Sequence, residues 1–358
     1  MLSSSQKRVQ LAICSIKSGL PFLICKQNTC IIVFSLSAFL DFCPGEIVLK
    51  DYFSGFADPC LVLSAEKLEF FLGKKFLNGG ICKISSLQGL DCVDKDYCAL
   101  QRWSEARSVH ACAIKIAKKA EVFPDLVVFK KVFDSDKSLK DFAAKSGVCC
   151  ITEDDFQNFL DLQKVKRISS ASVKLKSGLD ARFICYQSGL VQHCAILLGA
   201  DQDCQLQDPL VRVHSSCYTG DLFGSLACDC QDQLNSAIEL IKDSKKGGII
   251  IYLMQEGRGI GLANKLMAYD LQSKGLDTAE ANLRLGFSID ERDFKDVKLI
   301  LDDLGVKSFK LITNSSKKLL LLKSYGLQIT HRVPMKVFEN AHNKKYLKTK
   351  FEKMGHIL

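Results

Sequence analysis

Residues 248–274 read GIIIYLMQEGRGIGLANKLMAYDLQSK, and this stretch indicates the fold of the C-terminal half of the chain. The continuous apolar run at 248–254 is typical of a fully buried strand. Residues 255–261 then form a glycine-rich turn, and residues 262–274 are predicted to be a helix. Outside this stretch, strands are predicted at 210–214 and 309–313, and helices at 232–243, 291–304 and 316–326. Strands that alternate with helices predict an α/β (α+β) fold, in which helices cover a mixed sheet.

The N-terminal half shows a similar alternation. The strand-like runs PFLIC, PCLVL and DLVVFKKVF begin at residues 21, 59 and 125, and helices are predicted at 105–120 and 138–145. Around residues 163–170 (QKVKRISS) the chain becomes basic and polar, and strand patterns then resume. We therefore predict two domains, residues 1–164 and 165–358, each a mixed sheet covered by helices.

Composition limits the classes of protein to which the chain can belong. Of its 358 residues, 47% are hydrophobic and 25% are charged, as in globular proteins. The longest apolar run, CIIVFSLSAFL at residues 30–40, is too short to cross a bilayer, and Lys17 interrupts a signal-like N-terminus. We therefore expect no membrane partner. The net charge of +9 predicts an anionic partner, and charge alone does not choose between nucleic acid and a polyphosphate.

Cysteine is abundant, and three cysteines fall in one short window. Seventeen cysteines is an odd number without a regular framework, which argues against disulfide staples and for a reducing, cytoplasmic location. Cys217, Cys228 and Cys230 have the spacing C-x10-C-x-C. Three protein ligands leave one position on zinc open for water, as a hydrolytic zinc requires. On spacing alone, a chance grouping of thiols remains the alternative.

The glycine-rich turn at 255–261 (QEGRGIG) is a candidate anion site. Its alternating glycines let backbone N–H groups approach an anion at the start of a helix. It matches neither the Walker loop nor the dinucleotide spacing. An ordinary strand-to-helix connection is the alternative, although Arg258 favours phosphate and Glu256 could accept hydrogen bonds from a base edge.

Two further groups carry charge near predicted helix starts. Asp290-Glu291-Arg292-Asp293 suits a helix N-terminus with Asp290 as its cap. That interpretation does not explain Arg292, because a cation in the first turn of a helix is unfavourable toward the helix dipole. Thr313-Asn314 followed by Lys317-Lys318 fits a phosphate site or an ordinary solvated turn equally well.

Six stretches taken together resemble GTP cyclohydrolase II. They are RVHSSCYTGD (212–221), CDCQDQL (228–234), QEGRGIGLANKLMAYDLQ (255–272), GLDTAEANLRLGFSIDERDF (275–294), LITNSSKK (311–318) and HNKKYLKTKFEKMGH (342–356). The resemblance implies an enzyme that hydrolyses GTP to 2,5-diamino-6-(5-phosphoribosylamino)pyrimidin-4(3H)-one, formate and pyrophosphate, the first step of riboflavin biosynthesis. It also implies a homodimer with GTP, not nucleic acid, as its ligand.

The same resemblance assigns roles to individual residues. Cys217, Cys228 and Cys230 match the ligands of one Zn²⁺ per subunit, and Mg²⁺ is expected with GTP. Asp290 matches the proton acceptor, Tyr269 a catalytic tyrosine, and Arg292 a nucleophile toward the α-phosphate. Because a guanidinium is normally protonated, an electrostatic clamp is the alternative role for Arg292. The GTP-binding positions are Arg212, Val213, His214, Ser215, Ser216, Gln233, Glu256, Gly257, Arg258, Thr278, Thr313 and Lys318.

The chain departs from the family pattern at a few positions. Ser216 replaces the usual Glu, Ala227 an Arg and Gln231 a Gly, and Ser315-Ser316 replaces an Asn-Pro pair. The zinc ligands and the Asp-x-Arg pair are intact. We therefore expect these changes to affect the affinity for GTP and not the chemistry.

Residues 6–163 resemble 3,4-dihydroxy-2-butanone 4-phosphate synthase without its catalytic groups. The synthase holds Mg²⁺ with an acidic run after its first strand, where this chain has Lys26-Gln27-Asn28-Thr29-Cys30. At the histidine of its Gly-His-Thr motif stands Val109, beside His110. We expect a degenerate domain without synthase activity. For the chain as a whole, two alternatives to a monofunctional GTP cyclohydrolase II remain. One is a bifunctional enzyme that is also a synthase, and the other is a non-catalytic protein that binds GTP or nucleic acid.

Overall fold

The computed structural model describes residues 3–27, 29–42, 59–83, 103–162, 164–199, 207–244 and 247–336. The motif at 342–356 lies outside these residues. The contacts divide the chain into two units. The first comprises Met1–Leu162, Leu266–Leu276 and Glu280–Asp290, and the second comprises Gln163–Lys265, Asp277–Ala279 and Glu291–Leu358. No helix in the described ranges is both long and apolar enough to cross a membrane.

The first unit is built on a seven-stranded sheet in the order β5-β4-β3-β6-β2-β1-β7. Strand β1 pairs parallel with β7 and antiparallel with β2, so the sheet is mixed. Its strands are β1 (Phe22–Lys26), β2 (Thr29–Ser35), β3 (Cys60–Leu63), β4 (Gly80–Lys83), β5 (Ser104–Glu105), β6 (Leu126–Val132) and β7 (Cys149–Thr152). Its helices include α1 (Ser4–Lys17), α2 (Leu36–Phe42), α3 (Ala65–Leu72), α4 (Ser108–Lys119), α5 (Asp136–Ser146) and α6 (Glu153–Asp161).

Both faces of this sheet are covered by apolar side chains. On β1, Phe22 and Ile24 join one core cluster, while Leu23 and Cys25 join the other. A strand buried on both faces needs apolar residues at consecutive positions. This requirement explains the continuous apolar run that predicted β1.

One disulfide corrects the expectation from cysteine spacing. Cys25 and Cys30 face each other in the register of the β1–β2 hairpin and are joined by a disulfide. Their Cα atoms are 4.1 Å apart. The number and spacing of the cysteines could not predict this pair, because the register of the two strands brings the residues together.

Asp155 joins α6 to α1. Its carboxylate accepts hydrogen bonds from Arg8 Nη2 at 2.5 Å and Nε at 3.0 Å, and from the Thr152 N–H at 3.1 Å. Burial raises the pKa of Asp155, but the hydrogen bonds from Arg8, Ser5 and Thr152 outweigh burial and lower it to about 2. The folded protein therefore holds this carboxylate ionised more strongly than the unfolded chain does.

Replacing this carboxylate should give a pH-dependent loss of stability. Because the folded pKa lies below the unfolded value of about 3.9, the carboxylate stabilises the fold above that value. Its contribution is lost as the pH falls through about 2. We expect Asp155→Asn to lower the melting temperature near neutral pH, and the difference from wild type to shrink in acid. Thermal unfolding across this range, with the exposed Asp134→Asn as control, measures the effect, and a pH-independent difference would contradict it.

The second unit is built on a seven-stranded sheet in the order β14-β13-β11-β12-β10-β9-β8. Strands β14, β13, β11 and β12 run parallel, and β12, β10, β9 and β8 pair antiparallel. The strands are β8 (Val165–Lys174), β9 (Asp180–Ser188), β10 (Val191–Leu198), β11 (Leu210–Ser215), β12 (Gly248–Leu253), β13 (Ser308–Ile312) and β14 (Gln328–Val333). Helices of the C-terminal region include α7 (Cys230–Asp243), α8 (Leu262–Ser273), α9 (Thr278–Arg284), α10 (Lys295–Asp303) and α11 (Ser316–Ser324).

Two sheets covered by helices confirm the predicted α/β class. The apolar run at 248–254 forms β12, in which five of six residues are buried. The predicted helix at 291–304 is wrong at its start, because α10 begins at Lys295 with Phe294 as its cap. Asp290 is therefore not a helix cap, and residues 290–294 are non-helical.

Candidate metal centre and active site

Three thiols meet at the end of β11. Cys217 lies just after that strand, and Cys228 and Cys230 lie where the chain enters α7. Their sulfur atoms lie within 4.8 Å of one another, and the sulfurs of Cys217 and Cys228 are 3.8 Å apart. Tetrahedral zinc with Zn–S bonds of about 2.3 Å places its sulfur ligands about 3.8 Å apart. The three thiols therefore fit a zinc ion.

Gly220 lets the thiols come this close. It lies in the π-helical turn Tyr218–Leu222 between Cys217 and Cys228. A Cβ at this position would be 2.7 Å from the Cys228 sulfur, 2.9 Å from the Cys217 sulfur and 3.0 Å from Cys230 Cβ. A side chain there would push the sulfurs apart.

We therefore expect Gly220→Ala to weaken metal binding by at least about tenfold, the lower limit for changes in the groups that support metal ligands. Competition with a chromogenic chelator measures the affinity. Leu222→Ala, at an exposed position in the same turn, is the matched control and should bind like wild type. Equal affinities for Gly220→Ala and Leu222→Ala would contradict the role of Gly220.

The thiols share their protons unequally. Hydrogen bonds from the Cys228 and Cys230 thiols, together with Lys265, lower the pKa of Cys217. The same interactions with Cys217 raise the pKa of Cys228 and Cys230. Within this group the negative charge is therefore favoured on the Cys217 sulfur, and binding of a metal by all three sulfurs would release protons.

Asp221 fixes the turn that carries Cys217. Its Oδ2 accepts from the Cys217 N–H at 3.0 Å and from the Tyr252 hydroxyl at 2.7 Å. His214 Nε2 lies 3.1 Å from Asp221 Oδ1, and the His214 ring stacks on Tyr252. Burial lowers the pKa of His214 and raises that of Tyr252. Asp221 thus orients a candidate metal ligand through its backbone, as supporting residues of metal sites do.

The glycine-rich turn faces this cysteine turn through Glu256. Glu256 Oε2 accepts from the Tyr218 N–H at 2.6 Å, and its Oε1 lies 2.8 Å from Lys265 Nζ. Gly257 and Arg258 both have positive φ, 59° and 63°. A left-handed arginine is uncommon, and such conformations concentrate at functional sites. The uncommon backbone conformation of this turn, next to the thiols, therefore indicates a functional role for it.

The turn also contacts residues 291 and 293 of the Asp290–Asp293 motif. The Glu291 N–H donates to the Arg258 carbonyl at 3.0 Å, and Gln255 Nε2 donates to the Asp293 carbonyl at 2.5 Å. A Cβ on Gly259 would lie 2.9 Å from the Glu291 carbonyl carbon. Gly259 therefore allows close backbone packing that side-chain patterns could not predict.

Cationic groups gather around Phe294. The Arg292 guanidinium lies 5.5 Å and Lys318 Nζ 5.3 Å from the Phe294 ring centre. Lys318 Nζ also donates to the Val213 carbonyl at 3.0 Å. Burial, with repulsion from Arg292, lowers the pKa of Arg212 to about 10. A concentration of positive charge at strand ends suits a polyphosphate.

Buried polar atoms at 212–216 point to a polar ligand. Within the described residues, Arg212 Nε, His214 Nδ1, Ser215 Oγ and Ser216 Oγ are buried and make no hydrogen bond. Such atoms are rare in native proteins unless a ligand or water satisfies them. These atoms belong to the segment that the sequence predicts to bind GTP.

Other predicted residues are engaged within the protein. Gln233 Oε1 accepts from Arg212 at 2.7 Å, and Thr313 Oγ1 accepts from the Ser315 N–H at 3.1 Å. Thr278 begins α9. Tyr269 and Asp290 belong to the segments grouped with the first unit, and their roles remain predictions.

Sequence reasoning missed three residues that support the site. Asp221, Tyr252 and Lys265 all contact Cys217 or its turn. Asp221 lies only four residues after Cys217, so a carboxylate this close to a candidate ligand was a usable signal. Tyr252 and Lys265 offered no such signal, because their contacts depend on strand order.

Comparison with known proteins identifies the C-terminal region. Residues 166–334 match the family model of GTP cyclohydrolase II. The C-terminal region is thus similar to the GTP cyclohydrolase II family. The matched residues include the three thiols, the glycine-rich turn and the cationic cluster around Phe294.

Curated relatives are named riboflavin biosynthesis protein RibBA. The protein of Endomicrobium trichonymphae is 40% identical over 264 residues, 71% of this chain and 64% of the relative. That of Chlorobium phaeovibrioides is 48% identical over 197 residues, 54% of this chain and 47% of the relative. The chain thus spans about half to just under two thirds of the length of these relatives. Residues 165–358 are 194 of 358 residues, so the first alignment also includes part of the N-terminal half.

A solved structure of RibBX, a two domain 3,4-dihydroxy-2-butanone 4-phosphate synthase from A. baumannii, was also found. It is 14% identical and covers 92% of this chain and 100% of its own, with a TM-score of 0.32.

His110 and Lys26 have structural partners at the positions compared with the synthase. His110 Nδ1 accepts from the Arg107 N–H at 3.1 Å at the start of α4, and burial lowers its pKa to about 4. Lys26 Nζ lies 3.0 Å from Glu153 Oε2. His110 thus contributes to the start of a helix, and Lys26 forms a surface ion pair.

Proposed function

We propose that the chain is a zinc-dependent GTP cyclohydrolase II with its catalytic domain at residues 165–358. It would convert GTP to the diaminopyrimidine, formate and pyrophosphate, the first step of riboflavin biosynthesis. The observation that carries this proposal is the group of three thiols, whose sulfurs lie within 4.8 Å of one another, in the region that matches the family model. The cationic cluster and the unpartnered polar atoms at 212–216 support the same substrate.

The thiols would hold one zinc ion per subunit. When bound, zinc would supply Lewis-acid activation of water for opening the imidazole ring of guanine. Asp221 keeps the Cys217 backbone in place, and Gly220 keeps room for the sulfurs to converge. The protein would thus contribute a pre-shaped ligand set, which limits reorganisation during the reaction.

The cationic groups would bind the triphosphate. Arg292 and Lys318 would neutralise phosphate oxygens. Mg²⁺ would accompany GTP, because octahedral oxygen coordination suits phosphates. Arg292 would act on the α-phosphate as a nucleophile or as an electrostatic clamp.

Further residues would act on the base. Asp290 is proposed as the proton acceptor and Tyr269 as a catalytic tyrosine, with Thr278 among the GTP contacts. Glu256 can accept one further hydrogen bond from a base edge, because a carboxylate offers about four lone-pair sites and three are used by Tyr218, Gly257 and Lys265.

Ser216 should weaken GTP binding relative to family members with glutamate at this position. Its hydroxyl is buried without a protein partner in the described ranges. A serine is shorter and uncharged, so it reaches less far toward a ligand. We propose that this substitution changes the affinity for GTP while leaving the thiol site intact.

Incubation of the full-length protein with GTP and Mg²⁺ tests the proposal. Formate and the pyrimidine product should appear in equal amounts. Tight GTP binding without formate would instead support a non-catalytic binding protein. Salt-dependent RNA binding without turnover would favour a nucleic-acid protein.

We also propose that the N-terminal half is a degenerate synthase-like domain without activity of its own, and that the protein is a cytoplasmic homodimer that binds no nucleic acid or membrane. Incubation of the full-length protein with ribulose 5-phosphate and Mg²⁺ distinguishes the bifunctional alternative. Formation of the butanone phosphate would overturn the assignment of a degenerate domain. Ultracentrifugation tests the dimer.

A further inference from the structure

Lys265 is a buried cation that the sequence motifs did not assign. It lies in the first turn of α8, where its N–H donates to the Gly261 carbonyl at 3.0 Å. Its side chain is 10% exposed. A lysine is almost never buried to this degree unless its ammonium is paired. The ammonium therefore needs partners, and its partners indicate its role.

Among the residues that the structure describes, three acceptors lie within hydrogen-bond distance of the ammonium. Lys265 Nζ lies 3.1 Å from the Cys217 sulfur, 2.9 Å from Thr219 Oγ1 and 2.8 Å from Glu256 Oε1. An ammonium group has three donors. Its position is thus determined from three directions, and the three acceptors come from two separate turns.

The backbone is shaped to admit this side chain. A Cβ on Gly257 would lie 2.9 Å from Lys265 Cβ and 3.6 Å from its Cδ. Gly257 also has φ 59°, which L side chains rarely adopt. The glycine therefore leaves the space through which the lysine stem reaches the thiols.

We propose that Lys265 is a positioning residue that holds the Cys217 sulfur and Glu256 in a fixed relation and withdraws charge from that sulfur. The first effect follows from the three short contacts. The second follows because a hydrogen bond from a cation to a thiolate reduces the electron density that the sulfur donates to a metal. The expected effect of Lys265 on catalytic rate rests on the proposed GTP cyclohydrolase function, whereas its effect on a bound metal does not.

Charge balance supports the assignment. Three thiolates around a divalent cation leave one net negative charge, and Glu256 adds another beside it. Lys265 offsets one of these charges within hydrogen-bond distance of both groups. Without it, two buried like charges would face each other in a site with low dielectric.

Cobalt substitution gives a readout that a merely structural lysine would not change. Co²⁺ bound by thiolates has a sulfur-to-metal charge-transfer band, whose energy falls when a hydrogen bond to the sulfur is removed. We expect Lys265→Met to shift this band to lower energy. Lys265→Arg, which keeps a charged donor, should remain close to wild type. Lys274→Met, at an exposed position just after the same helix, is the matched control.

A double variant keeps the test valid if the single variant is unstable. Lys265→Met leaves Glu256 without its cation, whereas Lys265→Met with Glu256→Gln removes both charges. The double variant should fold and should show the same band shift. A band at the wild-type energy in the double variant would overturn the proposal. Loss of the native circular dichroism in both proteins would also overturn it, because Lys265 would then be a folding residue.

Activity gives the second readout and separates the two proposals. If the wild type releases formate, Lys265→Met should lower kcat/KM by about 10–100-fold, the range for groups that support metal ligands. Lys265→Arg should recover part of this loss. If the wild type releases no formate, the proposed function fails while the cobalt band still tests Lys265. If the wild type releases formate but the cobalt band of Lys265→Met is not shifted, the proposed function stands and the role of Lys265 is rejected.

Discussion

A Cys228→Ser protein is expected to lose bound zinc and to release formate from GTP more than about a hundredfold more slowly than wild type. Cys228 is buried, and its sulfur lies 3.8 Å from that of Cys217. Changes to supporting groups alone reduce metal affinity or activity by about 10–100-fold. Removal of one of three protein ligands should exceed that range, because two thiols hold zinc much less firmly than three.

Metal analysis and a formate assay on the same preparation measure this effect. Cys185→Ser, on β9 and outside the thiol group, is the control and should keep both zinc and activity. The zinc mechanism would be rejected if Cys228→Ser lost its metal but still formed formate at the wild-type rate. Retention of zinc together with activity would reject Cys228 as a ligand.

Arg292→Ala is expected to slow pyrophosphate release by about 10²–10³-fold, the cost of removing one donor that stabilises developing charge. The guanidinium lies against Phe294. Gly259 packs so closely on the Arg292 backbone that a Cβ at position 259 would lie 3.2 Å from the Arg292 backbone nitrogen. The backbone that carries Arg292 is therefore tightly packed against the glycine-rich turn. Arg167→Ala, which removes a half-exposed arginine paired with Asp303, is the control.

A second comparison separates the two roles of Arg292. Arg292→Lys keeps the positive charge but loses the planar guanidinium with its fork of donors. If Arg292 is a clamp, Arg292→Lys should retain at least about ten times the activity of Arg292→Ala, and no phosphorylated arginine should appear by mass spectrometry after rapid quenching. A nucleotide adduct on Arg292 in the wild type would instead show that it is a nucleophile.

The sequence predicted the local elements and the chemical residue types. The apolar run at 248–254 became β12, and the C-x10-C-x-C spacing marked thiols that do converge. Local periodicity and short spacing are encoded in neighbouring residues, so both can be read without a fold. The resemblance to GTP cyclohydrolase II was confirmed for the C-terminal region, where residues 166–334 match the family model.

Sequence patterns misled where a local preference competed with packing. Asp290 and its neighbours suited a helix start, but α10 begins at Lys295. Contacts of residues 291 and 293 with the glycine-rich turn hold this segment in non-helical form. Cys25 and Cys30 were likewise paired by strand register, which the cysteine count did not reveal.

The sequence by itself thus determined which elements form and which side chains carry chemistry. Tertiary structure alone decided that Lys265 meets Cys217, 48 residues away, and that Glu256 meets the Tyr218 N–H, 38 residues away. Both contacts exist because β11 and β12 are parallel neighbours, so the turns that follow them lie at the same edge of the sheet. Strand order is a property of the whole chain and is not written in any one motif, which is why these contacts had to come from the fold.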